Sequence, residues 1–147
     1  MGIVLVVALI LGIASQIPSS TKTSSSPYVE VDYTLTDWNS SQVSFSNSTY
    51  YSNEIEFNVT IINKGYSDAV QYPEFSLTVS GITYSGLNEY NTIPYGAAIN
   101  NGGSVSGSVS FLNLQSIPVS EQYVLKCTMS FSNNIFSNPN VKCIQVG

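Results

Sequence analysis

The sequence predicts a mainly β protein, and three features of its 147 residues lead to that expectation. Apolar and polar residues alternate with a period of two over several segments after residue 27, as in half-buried strands. Turn residues, mostly glycines, separate these segments, and no helical period is present beyond residue 27. The pattern is typical of a seven-stranded antiparallel β-sandwich of immunoglobulin-like architecture.

The strands are predicted in chain order from this alternation. The first two begin near Tyr28 and Glu54 and carry charged residues on the outward face. Residues 63–68 supply a turn, and the third strand contains Pro73, which suits an edge or a bulge. The third to seventh strands are expected at Val70–Val79, Ile82–Tyr84, Ser104–Leu112, Tyr123–Phe131 and Val141–Val146.

The residues before this domain divide into two segments. Residues 1–14 are predicted to form a hydrophobic N-terminal α-helix that is apolar on every face and must be buried in lipid or protein. From Ile3 to Ala14 this helix would be only about 18 Å long, against about 30 Å for a bilayer core. Residues 15–27 are rich in Ser, Thr and Pro and are expected to form a tether, and residues 28–147 form the β-sandwich domain.

The two cysteines, Cys127 and Cys143, are too few for a thiolate zinc site and too far apart for a redox Cys-x-x-Cys pair. We therefore predict one disulfide between them, which would stabilise the fold by about 3 kcal/mol and would indicate an oxidising compartment. The alternative is two free buried cysteines that pack as small hydrophobic side chains.

Three Asn-x-Ser/Thr sequences are candidate N-glycosylation sites, at Asn39, Asn47 and Asn58. Asn58 is the most informative, because its side chain is expected to face solvent from the middle of a strand. These sites and the cysteines predict an extracellular location.

Composition argues against several function classes. The chain has no histidine, only 4 Lys and Arg residues and a formal net charge of -5. These properties argue against nucleic-acid binding and against the commonest catalytic and metal sites, so no enzyme activity, cofactor or metal is expected. Ten tyrosines could form a sugar-binding platform, but tyrosines in strands are first of all expected to pack in a core.

The layout of the chain resembles a mature archaeal type IV pilin. The resemblance lies in the apolar N-terminal segment, the Ser/Thr tether and the segment 54–70, which looks like a strand, Asn-x-Gly turn, strand hairpin. It implies a structural subunit of an extracellular cell-surface filament, held in the membrane before assembly. Its partners would then be copies of itself in a helical homopolymer, with a glycosylated sandwich outside.

In this interpretation the N-terminal helices bundle together, since each would otherwise expose its apolar surface to water. The residues expected to drive polymerisation are Ile3, Val4, Leu5, Val6, Val7, Leu9, Ile10, Leu11 and Ile13. One alternative is a secreted subunit with a cleaved signal, whose tail, including residues 28–35, adds as a strand to the next subunit. The other is a monomeric cell-surface adhesion or binding module.

Overall fold

The computed structural model describes residues 25–45, 48–114 and 122–147, and this part of the chain is mainly β, as predicted. Its strands form one sheet of five strands and one of three. In chain order they are β1 (Tyr28–Phe45), β2 (Ser48–Lys64), β3 (Val70–Val79), β4 (Ile82–Tyr84), β5 (Glu89–Asn91), β6 (Ser104–Leu114), β7 (Tyr123–Phe131) and β8 (Val141–Gln145).

The strand order is β5-β6-β2-β1-β8 in the larger sheet and β4-β3-β7 in the smaller one. Neighbouring strands are antiparallel except β1 and β8, which run parallel from Val29 opposite Val141 to Tyr33 opposite Gln145. The prediction of a wholly antiparallel sheet is therefore wrong at this edge. Residues 132–140 carry the chain from β7 in the smaller sheet to β8 in the larger one, and Asn140 meets the start of β1 there, since its carbonyl oxygen accepts from the N–H of Val29 over 2.8 Å.

One hydrophobic core joins the two sheets, and the alternating residues that predicted the strands supply most of it. Phe57 of β2 lies at its centre, with ring centroids 5.8 Å from Tyr33, 6.4 Å from Phe111 and 5.5 Å from Tyr123. Tyr123 belongs to β7 in the smaller sheet, so these ring contacts connect the inner faces of both sheets.

The strand count and one connection differ from the prediction. The structure has an eighth strand, β5, which is only three residues long and pairs with β6 at the sheet edge. The segment 54–70 does not form a hairpin, because β2 pairs with β1 and β6 whereas β3 pairs with β4 and β7. Both strands turn apolar faces toward one core, and the turn at residues 63–68 therefore crosses between the sheets.

The predicted N-terminal helix, residues 1–14, lies outside the described residues. The polymerisation residues between Ile3 and Ile13, and the tether up to residue 24, lie outside the described residues. Within the described ranges, the helical structure is confined to one 3-10 turn at Gly86–Asn88. No helix in this part of the chain has the length and apolar character needed to cross a bilayer.

Candidate functional site

The most distinctive local feature of the fold is an irregularity in β3. Its register with β7 shifts between Gln71 and Glu74. Of the two predicted settings of Pro73, an edge or a bulge, the structure therefore shows a bulge. Tyr72, inside this irregularity, has a φ of 55°, in the left-handed region that costs a non-glycine residue about 1 to 3 kcal/mol. The bulge bends the strand and changes the direction of its side chains, as bulges do near binding sites.

Opposite the bulge, the loop after β5 makes a tight turn. The N–H of Ala97 donates to the carbonyl oxygen of Pro94 over 3.0 Å, and Gly96 supplies the positive φ of 73° that this turn requires. Tyr95 occupies the outer corner of the turn and is 94% exposed. The local sequence of this turn, Pro-Tyr-Gly-Ala, therefore places the Tyr95 ring in solvent.

An open cleft lies between the bulge and the turn. Its volume of about 620 Å³ is within the usual range of ligand pockets. We call this cavity the tyrosine cleft. Its walls come from residues 72–74 of β3, from Asn91 and residues 93–96, and from Ser130 and Ile135 at the end of β7 and beyond it. The rings of Tyr72 and Tyr95 contact each other in it, with centroids 5.2 Å apart and planes inclined at 49°.

Two carboxylates lie beside the tyrosine cleft. Glu74 is exposed and lines both this cleft and an adjoining hollow of about 460 Å³. Glu89 lines the hollow and is half-buried; its Oε1 accepts a hydrogen bond from Asn91 Nδ2 over 2.8 Å, and its Oε2 accepts one from the N–H of Phe75 over 3.2 Å. Both oxygens of Glu89 are thus engaged, so Glu74 is the carboxylate left to meet a ligand.

Burial governs the acidity of Glu89. Desolvation raises its pKa above the ordinary glutamate value, and the nearby charge of Glu74 raises it further, while the hydrogen bonds from Asn91 and Phe75 oppose this rise. The raised pKa favours the neutral acid relative to an exposed glutamate. Through its two hydrogen bonds Glu89 positions Asn91 and the backbone at Phe75, so it belongs to the framework of the site.

The predicted glycosylation sites are not brought together with this cleft. Asn58 is exposed in the middle of β2, as expected, and Asn39 is exposed in β1. Asn47 lies outside the described residues. Sequence patterns missed the cleft because its two tyrosines come from separate elements, β3 and the loop after β5. The signals that pointed toward it were Pro73 in a strand and the Pro-Tyr-Gly turn.

The predicted disulfide is not formed, and Cys127 and Cys143 are free. The alternative of two free buried cysteines holds for Cys127, whereas Cys143 is only partly buried. Cys127 lies buried in β7, whereas Cys143 pairs with Val31 in the other sheet. Sequence separation gave a plausible loop length, but loop length does not determine whether the two sulfur atoms meet at bonding distance. Burial raises the pKa of both thiols, and the neighbouring Cys143 raises that of Cys127 further.

Metal ligands do not gather in the described ranges, where no group of three or more His, Cys, Asp or Glu side chains is placed to hold an ion.

No family model, curated protein or solved structure matches the chain. The predicted relationship to archaeal type IV pilins is wrong, because no such family matches and the described residues form two β-sheets without an α-helix. The resemblance rested on layout, and one of its parts, the hairpin at residues 54–70, is a crossover between sheets.

Proposed function

We propose that this protein is an extracellular cell-surface module that binds a ligand through the tyrosine cleft. The observation that carries the proposal is the contact of Tyr72 and the exposed Tyr95 in an open cavity of ligand size. Tyrosine rings on a rigid frame supply large contact areas for recognition at little cost in conformational entropy. The left-handed backbone at Tyr72 supports the same role, because such strain concentrates at ligand sites.

We also infer that the two sheets form an immunoglobulin-like sandwich, an architecture common among surface modules. The order β1-β2-β6-β5 follows strands A-B-E-D of that architecture, and β4-β3-β7 follows C′-C-F. The last strand departs from the pattern, because β8 pairs with β1 where the immunoglobulin G strand would pair with F.

An extracellular location is supported by the glycosylation sequences. Asn58 and Asn39 are exposed on strands of the larger sheet, where an attached sugar would not disturb the core. The charged fraction of the chain is only 9%, and surface sugars would help to keep such a protein in solution.

Self-association stays a prediction without structural support. Polymerisation through residues 1–14 concerns residues outside the described ranges, as does contact of that segment with a membrane. Donation of residues 28–35 to another subunit would break existing pairing, since Val29 to Tyr33 bond to β2 on one side and β8 on the other. The tyrosine cleft, in contrast, consists of described residues. We therefore favour the binding module over the filament subunit.

The proposal is tested by measuring binding of the labelled full chain to intact cells of the producing organism and to their immobilised surface material. Tyr95→Ala should weaken saturable binding by about tenfold or more, as expected for a central aromatic contact. Tyr90→Ala is the matched control, because Tyr90 is 62% exposed but does not line the cleft. Binding that is unaffected by Tyr95→Ala, or no saturable binding, would contradict the proposal.

A further inference from the structure

We propose that the ligand of the tyrosine cleft is a neutral glycan, an inference that rests on the proposed function and names its ligand class. Sugar rings present an apolar face of C–H groups and an edge of hydroxyl groups. A matching site needs aromatic faces, hydrogen-bonding side chains beside them, and little positive charge. The tyrosine cleft combines these three properties.

The aromatic surface of the cleft is accessible to a ligand. Tyr72 and Tyr95 meet at an angle of 49°, so their rings form a shallow corner against which the C–H face of a sugar ring can stack. Pro73 and Pro94 each adjoin one of these tyrosines, and both line the cleft. Proline restricts the backbone beside each ring, which lowers the entropy lost on binding.

Polar groups suited to hydroxyls surround this corner. Glu74, Asn91 and Ser130 line the cleft and offer a carboxylate, an amide and a hydroxyl. Asn91 is already oriented, because its Nδ2 donates to Glu89 over 2.8 Å. That bond uses one N–H of the amide and leaves the second N–H and the carbonyl oxygen to pair with sugar hydroxyls.

The charge around the cleft selects against acidic ligands. Among the described residues that line the tyrosine cleft or the adjoining hollow there is neither Lys nor Arg, whereas Glu74 and Glu89 are present. A sulfated glycan, a uronic acid or a phosphate would meet a carboxylate with no cation to compensate it. A neutral glycan avoids this repulsion and can donate hydroxyl protons to Glu74.

A proline-rich peptide is the main competitor, because such peptides bind aromatic-lined grooves. Those grooves accept proline rings between separated aromatic side chains. Here the two tyrosine rings touch at 5.2 Å between centroids, and they leave no slot between them. The contact therefore favours stacking of a flat ring on their outer faces.

The test titrates the full chain with neutral hexose oligosaccharides, acidic oligosaccharides and a polyproline peptide, and it measures heat or tyrosine fluorescence. We expect a neutral oligosaccharide to bind, with an affinity reduced about tenfold or more by Tyr95→Ala and largely kept by Tyr95→Phe and Tyr90→Ala. Glu74→Gln should improve binding of acidic oligosaccharides. Preference of the unmodified chain for acidic oligosaccharides or for polyproline would overturn the inference.

A second experiment separates this inference from the proposed function. Periodate cleaves vicinal diols of sugars, so treating the immobilised surface material with it should abolish Tyr95-dependent binding. If Tyr95-dependent binding survives periodate, the glycan inference is wrong and the binding module stands. If the untreated material shows no Tyr95-dependent binding, the proposed function itself fails.

Discussion

Glu89 accepts a hydrogen bond from the main-chain N–H of Phe75, with 3.2 Å between Oε2 and N, and this bond joins the two sheets. Glu89 belongs to β5 in the larger sheet, and Phe75 belongs to β3 in the smaller one. β4 pairs with β3 only over Leu77–Val79, so Phe75 lies beyond its end. A side chain from the opposite sheet thus takes the place of the missing strand.

The stability of the fold should depend on the protonation of Glu89. Its pKa is raised in the folded state, chiefly by desolvation, so the folded protein holds the proton to higher pH than the unfolded chain. The associated stability is present below the unfolded pKa and is lost as pH rises through the folded pKa. Because Glu89 is only half-buried and solvent screens its charge, we expect this loss to stay below about 1 kcal/mol.

The measurement is chemical denaturation of the wild type and of Glu89→Gln from about pH 4, near an ordinary glutamate pKa, to neutrality. The wild type should lose more unfolding free energy over this range than the variant, whose side chain does not titrate. Glu56→Gln removes a carboxylate from the outer face of β2 and serves as the control. Parallel curves for the wild type and Glu89→Gln would contradict the prediction.

Most of the strands could be predicted from sequence because burial follows the pleat of a sheet. Val29, Val31 and Tyr33 are buried on one face of β1, and the observed bounds of β3, β4 and β7 equal the predicted ones. β5 was missed because its residues, Glu, Tyr and Asn, include no buried position and two of the three are polar, so the sequence shows no apolar face there. The pairing of β8 with β1 was also missed, because alternation shows which face is buried but not which strand is the neighbour.

Asn63 should be among the most important polar residues for stability. Its side chain is fully buried, and its Nδ2 donates to the carbonyl oxygens of Tyr66 and Ile99 over 3.2 and 3.1 Å. Its Oδ1 accepts from the N–H of Tyr66 over 2.9 Å. This amide therefore connects the turn after β2 to the loop before β6.

Asn63→Ala removes these hydrogen bonds: the N–H of Tyr66 loses the acceptor Oδ1, and the carbonyl oxygen of Ile99 keeps only its bond from the N–H of Val70. We therefore expect it to reduce the free energy of unfolding by roughly 2 to 4 kcal/mol. Asn58→Ala is the matched control, because Asn58 lies exposed in the same strand and its loss should change stability by less than about 0.5 kcal/mol. Both are measured by denaturation of unglycosylated protein. Equal stabilities of the two variants would show that the buried amide contributes nothing specific.

The free cysteines predict that reducing agents leave the melting temperature unchanged. Cys127 is buried with a strongly raised pKa, so its thiol should react slowly with a thiol reagent in the folded protein. Cys143 is partly exposed and should react sooner. Both reaction rates are measured with a thiol reagent whose leaving group absorbs light when it is released. The Cys143→Ser variant shows which rate belongs to which cysteine. A reductant-dependent shift in melting temperature would contradict the free thiols.

The candidate site was harder to anticipate than the strands. Tyr72 and Tyr95 are far apart in the chain, and alternation places strand tyrosines in a core, as it does correctly for Tyr33. What brings the pair together is a register shift between Gln71 and Glu74 that interrupts the alternation. The sequence signal for the tyrosine cleft is therefore the interruption of alternation around Pro73. The position of Tyr95 beside it could be seen only in the structure.

Gly107 should couple the stability of the larger sheet to the shape of the tyrosine cleft. A Cβ atom at this position of β6 would lie 2.7 Å from Cδ1 of Ile93 and 2.9 Å from Oγ1 of Thr92. Two hydrogen bonds to Ser108 hold Thr92 in this position. The N–H of Thr92 donates to the carbonyl oxygen of Ser108 over 2.9 Å, and the N–H of Ser108 donates to Oγ1 of Thr92 over 2.8 Å. Ile93 lines the cleft, so a side chain at position 107 would displace one of its walls.

We therefore expect Gly107→Ala to reduce the free energy of unfolding by about 1 to 3 kcal/mol, the usual range for overpacking. It should also weaken ligand binding, because the displaced Ile93 carries with it the turn that presents Tyr95. Ser104→Ala, at an exposed position of the same strand, is the control for a small change in β6. Denaturation and the binding titration are run on the same preparations below the melting temperature. A Gly107→Ala protein with the stability and affinity of the wild type would mean that Thr92 and Ile93 move aside freely, and that the cleft wall is not fixed by this close approach.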